Sequence, residues 1–461
     1  MTEAAQFPHG LFAGRRYAVL GLGRNGLAVA RALLAMGAEV TVWDDSDAAR
    51  AVVGDLMLTD PAAAPLACDA LVMSPGIPHL LPRPHPAAER ARAEGVPILS
   101  DAELLYQAAR AAGSGARFVG VTGTNGKSTT TALIAHILAG AGIPVAAGGN
   151  LGTPSLALGL LPTSGCYVLE MSSYMLERIA GLRFDAAVML NLSPDHLDRH
   201  GDMAGYAAAK HAIFDRQAAG DLAVIGVDDD FSRAMADEIA ARPARLLRVS
   251  GEAAADVWCD AEMVLRDAAG PILPMVEAPA LPGRHNAQNA AAAAAVALGL
   301  GVARADVARG IATYPGLPHR QQAVATVQGV AFVNDSKATN ADAAARAMAC
   351  YPRLVWIAGG IAKSGGIAPL SGYFPRIAHA ELIGRDAPDL AATLAAHGVA
   401  HRVAGTLEAA VPAAFEAARE TGATVVLLSP ACASFDQFQG FDARGDRFAE
   451  LVRALPAARA A

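Results

Sequence analysis

The segment Gly120-Val-Thr-Gly-Thr-Asn-Gly-Lys-Ser-Thr-Thr130 limits this chain more than any other. An apolar run beginning at Phe118 precedes it, and an apolar helical pattern reaching about Gly140 follows. A strand that turns through glycines into a helix is a phosphate loop. The glycines let backbone N–H groups wrap phosphate oxygens, and the helix N-terminus adds its dipole. Gly123, Thr124, Asn125, Gly126, Lys127, Ser128 and Thr129 are the candidate ATP ligands. Lys127 is placed to neutralise the β- and γ-phosphates, and the Ser128 hydroxyl to reach Mg²⁺. The strict pattern has Gly at 121, where this chain has Val, so Thr122-Gly-Thr forms the lead-in.

Strand and helix signals alternate on both sides of this loop, which implies an α/β chain. Its 461 residues suggest about three domains. We read residues 1–113 as a Rossmann-like domain. Residues 114–313 read as a central P-loop ATPase-like parallel sheet, and 314–461 as a Rossmann-like domain. Ala111–Arg117 reads as a linker, Asp256–Ala280 as a small β insert, and Tyr314-Pro-Gly-Leu-Pro318 as a hinge. The hydrophobic fraction of 53% supports large cores, and Ala287–Leu300 reads as a buried helix rather than a membrane span. A net charge of −7 without a basic block disfavours nucleic acid. The start MTEAAQFPHG does not resemble a signal peptide, and the five scattered cysteines read as reduced thiols. The expectation is therefore a cytoplasmic monomer with no membrane insertion.

The cations are unevenly chosen. Among 37 there are only four lysines, Lys127, Lys210, Lys337 and Lys363. Codon bias accounts for a general preference for arginine, so a surviving lysine is a candidate for work that guanidinium cannot do. Lysine is a compact point charge whose amine can lose its proton. Two acidic sites close apolar strands: Tyr167-Val-Leu-Glu170 and Val188-Met-Leu-Asn-Leu-Ser-Pro-Asp195-His196-Leu-Asp198-Arg-His200. Ligands of open α/β sheets bind beyond the carboxyl ends of strands, and magnesium takes few protein ligands beside phosphates. Tyr206-Ala-Ala-Ala-Lys210 follows on a helix.

This order of motifs resembles the Mur ligases, which join an amino acid to a UDP-muramoyl carboxylate, and the resemblance covers nearly the whole chain. Gly149-Asn-Leu-Gly152, His285-Asn-Ala-Gln-Asn289, Gly316-Leu-Pro-His-Arg320, Asn334-Asp-Ser-Lys-Ala-Thr-Asn340 and Leu428-Ser-Pro-Ala-Cys-Ala-Ser434-Phe-Asp-Gln-Phe438 narrow it to the member that adds glutamate. The resemblance implies a set of roles. Catalysis falls to Lys127, Lys210 and His196. Metal binding falls to Ser128, Glu170, His196 and Lys210, the last as a carbamate, around two Mg²⁺ ions. ATP is also held by Asn286, Asn289, Arg320 and Asp335. Glutamate is gripped by Lys337, Thr339, Lys363, Ser434 and Phe441. The turn Gly21-Leu-Gly23-Arg24-Asn25-Gly26, with Asp44, Gly76 and Asn150, receives the UDP part. Three departures from the family pattern are Met175 for Gln, Gln322 for Glu, and the absence of an acidic residue before Lys363.

The implied reaction is ATP-dependent amide formation through an acyl phosphate, in peptidoglycan precursor synthesis. It would serve cell wall biogenesis, cell shape and cell division. No motif reads the chirality of the glutamate, and D is the family expectation. Three rival readings exist: a folate polyglutamylating ligase, an NAD-dependent oxidoreductase built on the Gly21–Gly26 fingerprint, and a non-catalytic nucleotide sensor. The oxidoreductase reading leaves the phosphate loop, Glu170, His196 and the lysines unexplained.

Overall fold

The computed structural model describes residues 4–150, 152–363, 365–456 and 458–460. Met1–Glu3, Leu151 of the Gly149–Gly152 segment and Ser364 beside Lys363 lie outside them. The chain forms two compact units, 1–278 with 284–313, and 279–283 with 314–461. It is a mixed α/β protein with three sheets rich in parallel strands.

The first unit holds two of the sheets. One has five parallel strands in the order Met57–Leu58, Glu39–Trp43, Arg16–Leu20, Ala70–Met73, Ile98–Leu99. Strand order reverses between Arg16–Leu20 and Ala70–Met73, so the ligand crevice of such a sheet opens beyond their carboxyl ends. The turns at Gly21–Gly26 and Ser74–Gly76 stand there.

The other sheet has nine strands. Its centre runs Leu222–Gly226, Ala186–Met189, Arg117–Thr122, Cys166–Glu170, Val145–Gly149, all parallel. The three middle strands deliver the phosphate loop, the Asn191–His200 loop and Glu170 to one rim. Val121 is fully buried inside strand Arg117–Thr122, so the strand continues where the strict phosphate-loop pattern would already turn. The region expected as a small β insert does form strands, and they extend this sheet. Val257–Cys259 joins it parallel, and Val264–Asp267 and Gly270–Pro274 add antiparallel. Helix Arg284–Gly299 is buried along Asn286–Ala297, as its alanines suggested.

The expected linker at Ala111–Arg117 is tied down. Ser114 Oγ donates to Leu161 O at 2.7 Å, and Gly115 N–H donates to Thr163 Oγ1 at 3.2 Å. The sequence shows Gly and Ser there but not the partners that fix them.

In the second unit the parallel strands run His401–Gly405, Ile377–Ile383, Leu354–Gly359, Val425–Leu428, Val330–Asn334. Antiparallel Gln322–Val327 and Ala458–Ala460 complete the sheet.

Glu103 joins the helix Asp101–Ala111 to the loop Ala180–Leu182. Its fully buried carboxylate accepts from the N–H groups of Ala180, Gly181 and Leu182 at 2.8–3.0 Å. Glu103→Leu removes the acceptor of all three; water can reach exposed Ala180 and Gly181, but the buried Leu182 N–H is stranded, at a cost of about 1–3 kcal/mol. We expect the urea midpoint to fall by an amount worth roughly 1–3 kcal/mol. An unchanged midpoint would mean that water replaces the carboxylate at no loss.

Candidate active site

The phosphate loop is set by two glycines. Gly123 has φ +144° and Gly126 φ +84°, and a Cβ on Gly126 would lie 2.2 Å from Asn289 Oδ1. Asn289 Nδ2 donates in turn to Asn286 Oδ1 at 3.0 Å. The start of helix Arg284–Gly299 thus lies against the loop, and it brings both predicted asparagines there. Asn191 holds the other side. Its carbonyl accepts from Thr124 N–H at 2.8 Å, and its Oδ1 accepts from Asn125 N–H at 2.9 Å. Asn191 carried no motif signal beyond lying at a strand end.

Lys127 Nζ donates to Gly123 O at 2.9 Å and Thr124 O at 2.8 Å, folding over the loop it serves. Lys210, only 1% exposed, donates to the same Gly123 O at 2.9 Å and to Thr122 Oγ1 at 3.3 Å. Two amines thus share one carbonyl. Burial, and then the Lys127 charge, hold the Lys210 ammonium well below its usual range. Its Nζ also sits 4.7 Å from the Tyr206 ring centre.

Glu170 is 2% exposed, and its Oε1 accepts from Asn150 Nδ2 at 2.7 Å. Its Oε2 is buried without a partner among the described residues. A buried carboxylate oxygen left unpaired beside a phosphate loop suits a divalent cation. The structure puts Asn150, expected at the UDP end, against the Glu170 carboxylate.

His196 stands at φ +53° with its ring half exposed, 3.4 Å from Asp195 Oδ2 and 5.2 Å from the Tyr174 ring. Burial lowers its pKa; Asp195 opposes this, while Lys210 and Lys127 reinforce it. His200 stands behind the ring, bonded to Ser173 Oγ at 2.9 Å and Glu177 Oε1 at 3.2 Å.

At the first sheet, a Cβ on Gly26 would fall 1.8 Å from Gly21 O, so only glycine permits this turn. Asp44 binds it from inside: Oδ2 accepts from Leu22 N–H at 2.7 Å and Oδ1 from Ser46 N–H at 2.9 Å. Gly23 and Gly76 face open space, Arg24 is exposed, and Asn25 lines a narrow cavity with Met175 and Arg178. Sequence reasoning missed Arg178. Its buried guanidinium donates to Met73 O at 2.9 Å, Ser74 O at 3.0 Å and Ile77 O at 2.5 Å, bracing the Gly76 turn. Met175 is 1% exposed core, which explains an apolar residue where the family has Gln.

The remaining predicted residues lie in the second unit. Asp335 accepts from Ser429 Oγ at 2.7 Å and Gln321 N–H at 3.2 Å. Burial pushes its carboxyl up to about 7, against these bonds and the Arg320 charge. Lys337 Nζ sits 3.9 Å from the Phe441 ring centre, and Ser434 Oγ is buried without a partner among the described residues. Thr339 is half-buried, and Lys363 lines a cleft with Asp386 and Asp389. Asp386 Oδ2 accepts from Ala362 N–H at 2.8 Å, so an acidic group from the start of helix Ala387–Ala396 stands where the Lys363 loop lacks one. Gln322 Oε1 accepts from His319 N–H at 3.1 Å, the bond a Glu would make without its charge.

A phosphate loop, an unpaired buried carboxylate and a low-pKa lysine define an ATP-dependent enzyme, here an amide-bond-forming ligase. The Mur ligase middle domain family matches residues 121–297. The chain is 50% identical to the UDP-N-acetylmuramoylalanine–D-glutamate ligase of Paramagnetospirillum magneticum, over 96% of this chain and 98% of that one. It is 48% identical to the enzyme of that name from Caulobacter vibrioides, over 97% of each chain. Among solved structures, the UDP-N-acetylmuramate-alanine ligase of Thermotoga maritima superposes with TM-score 0.59 at 18% identity, over 95% and 98% of the two chains. This chain belongs to the Mur ligase family.

Asp335 gives a stability test. Its folded pKa of about 7 exceeds the ordinary 3.8, so between those values the folded state holds a proton that the unfolded state has lost. Stability therefore falls as pH rises from about 4 to 7. Asp335→Asn should unfold later than wild type at pH ~8, by roughly 1–3 kcal/mol, and show little gain at pH ~4. An equal gain at both pH values would deny the buried carboxyl this titration.

Proposed function

We propose that this chain joins D-glutamate to UDP-N-acetylmuramoyl-L-alanine, with ATP consumed, in peptidoglycan precursor synthesis. The observation that carries the phosphoryl chemistry is the grouping of Lys127, Lys210 and the unpaired Glu170 Oε2 around one phosphate loop. Similarity over nearly the full length to ligases bearing D-glutamate in their names supports the choice of amino acid.

A carboxylate does not accept an amine, because oxide is too poor a leaving group. A carboxylate oxygen of the UDP substrate attacks the γ-phosphorus and ADP departs. The glutamate amine then attacks the acyl carbon, loses its proton, and the tetrahedral adduct expels phosphate. The chain contributes positioning and charge neutralisation. Lys127 exchanges the Gly123 and Thr124 carbonyls for phosphate oxygens, and loop N–H groups, ordered by Asn191, receive the rest. Ser128, Glu170, His196 and Lys210 as its carbamate would hold magnesium, in two ions, which neutralises phosphate charge when bound. A carbamate at Lys210 forms from the neutral amine, the state that burial favours. It would turn the repulsion of Lys127 into attraction.

The Gly21–Gly26 turn, Asp44 and Gly76 receive the uridine diphosphate. Asn286, Asn289, Arg320 and Asp335 hold the nucleotide, and Lys337, Thr339, Lys363, Ser434 and Phe441 take the glutamate. Residues 1–113, 114–313 and 314–461 act as the UDP, ATP and amino-acid domains, in a cytoplasmic monomer. No helix among the described residues is long and apolar enough to cross a membrane.

Two measurements check this reading. Phosphate release from MgATP should require both UDP-N-acetylmuramoyl-L-alanine and D-glutamate, with L-glutamate inactive. Release with neither isomer, from folded protein that binds ATP, would sink the glutamate assignment. Lys210→Arg keeps a cation but cannot form a carbamate, so kcat should fall at least ~100-fold, about 2.7 kcal/mol, while ATP still binds. A variant within tenfold of wild type would remove the carbamate from the mechanism.

A further inference from the structure

Arg444 lies on helix Phe441–Arg453, is 1% exposed, and carries no residue role in the reading above. A guanidinium has five N–H donors. Here each has an acceptor, and none of the acceptors is a carboxylate. Nε donates to Ser336 Oγ at 3.0 Å. Nη1 donates to Gly359 O at 3.3 Å and Cys432 O at 3.1 Å. Nη2 donates to Ser336 O at 2.9 Å and to Cys432 O at 3.1 Å. Ser336 Oγ then donates to Phe441 O at 2.7 Å, which closes the circuit on the arginine's own helix.

The acceptors stand at or just beyond the ends of three adjacent strands, Val330–Asn334, Val425–Leu428 and Leu354–Gly359. Each loop carries a residue assigned to the glutamate. Lys337 follows Ser336, Ser434 is two residues beyond Cys432, and Lys363 is four beyond Gly359. Phe441 opens the arginine's helix. Gly360 allows the approach, since a Cβ there would come within 3.3 Å of Arg444 Nη1 and 2.1 Å of Ala433 O.

We infer that Arg444 is a positioning residue for the amino-acid substrate, fixing the mutual spacing of Lys337, Ser434, Lys363 and Phe441 from beneath. This rests on the reading of those four as the glutamate grip. Lysine cannot substitute. Its ammonium has three donors on a point charge and cannot reach three loops in one plane. Burying a charge on carbonyls and one hydroxyl, with no carboxylate, is unfavourable, and burial already lowers the Arg444 pKa to about 10.

The test measures steady-state kinetics of full-length Arg444→Lys and Arg444→Gln beside wild type, with the thermal midpoint of each. The KM for D-glutamate should rise at least tenfold, with the KM values for ATP and for the UDP substrate within twofold of wild type. Where Arg444→Gln fails to fold, Arg444→Lys carries the test. For a variant with a cavity, Arg444→Ala, millimolar guanidinium should restore part of the glutamate KM. A role in folding alone would lower the midpoint and the yield of active enzyme while all three KM values stay put, and that result overturns the inference. Equal rises in all three would do the same. Wild-type enzyme that ignores glutamate would instead defeat the underlying functional reading.

Discussion

Two amines on one backbone carbonyl set the character of this site. Lys127 and Lys210 both point at Gly123 O. Like charges at that distance in a buried place are unfavourable, and the burdened partner is the lysine with no solvent. Everything around them eases that conflict. The Tyr206 ring underlies Lys210, the Glu170 carboxylate lies within electrostatic reach, and the loop carbonyls take up Lys127. An anion placed at the loop would relieve that repulsion.

The sequence displayed the chemistry more fully than the scaffolding. The phosphate loop, Glu170, Lys210 and Asn289 were legible because each needs one residue type at one spacing. The strands were legible from apolar runs. Residues whose job is to hold others were not. Asn191, Arg178 and Arg444 act through backbone atoms far away in sequence, and arginine is the common cation here, so neither spacing nor composition marks them. The antiparallel edge strand Ala458–Ala460 was missed for a similar reason. Three residues carry no readable alternation, and only pairing with Gln322–Val327 fixes them.

Where the chain departs from its family, the geometry supplies replacements. Gln322 keeps the acceptor to His319 N–H, and Asp386 brings a carboxylate to the Lys363 loop from the start of helix Ala387–Ala396. Position in space, rather than position in a motif, is what is maintained.

Helix Arg284–Gly299 carries this furthest. Its alanines are sealed within the first unit, and its opening turn touches Gly126 through Asn289. A rod packed that closely has no slack, so a methyl group added deep along it must slide the rod or tilt it. The displaced end is the one that lies against Gly126 of the phosphate loop. In a survey of variants, lesions buried far from any ligand would then sort with the ATP-binding defects, and a map of function drawn from such a survey would trace the helix as though it were part of the nucleotide pocket.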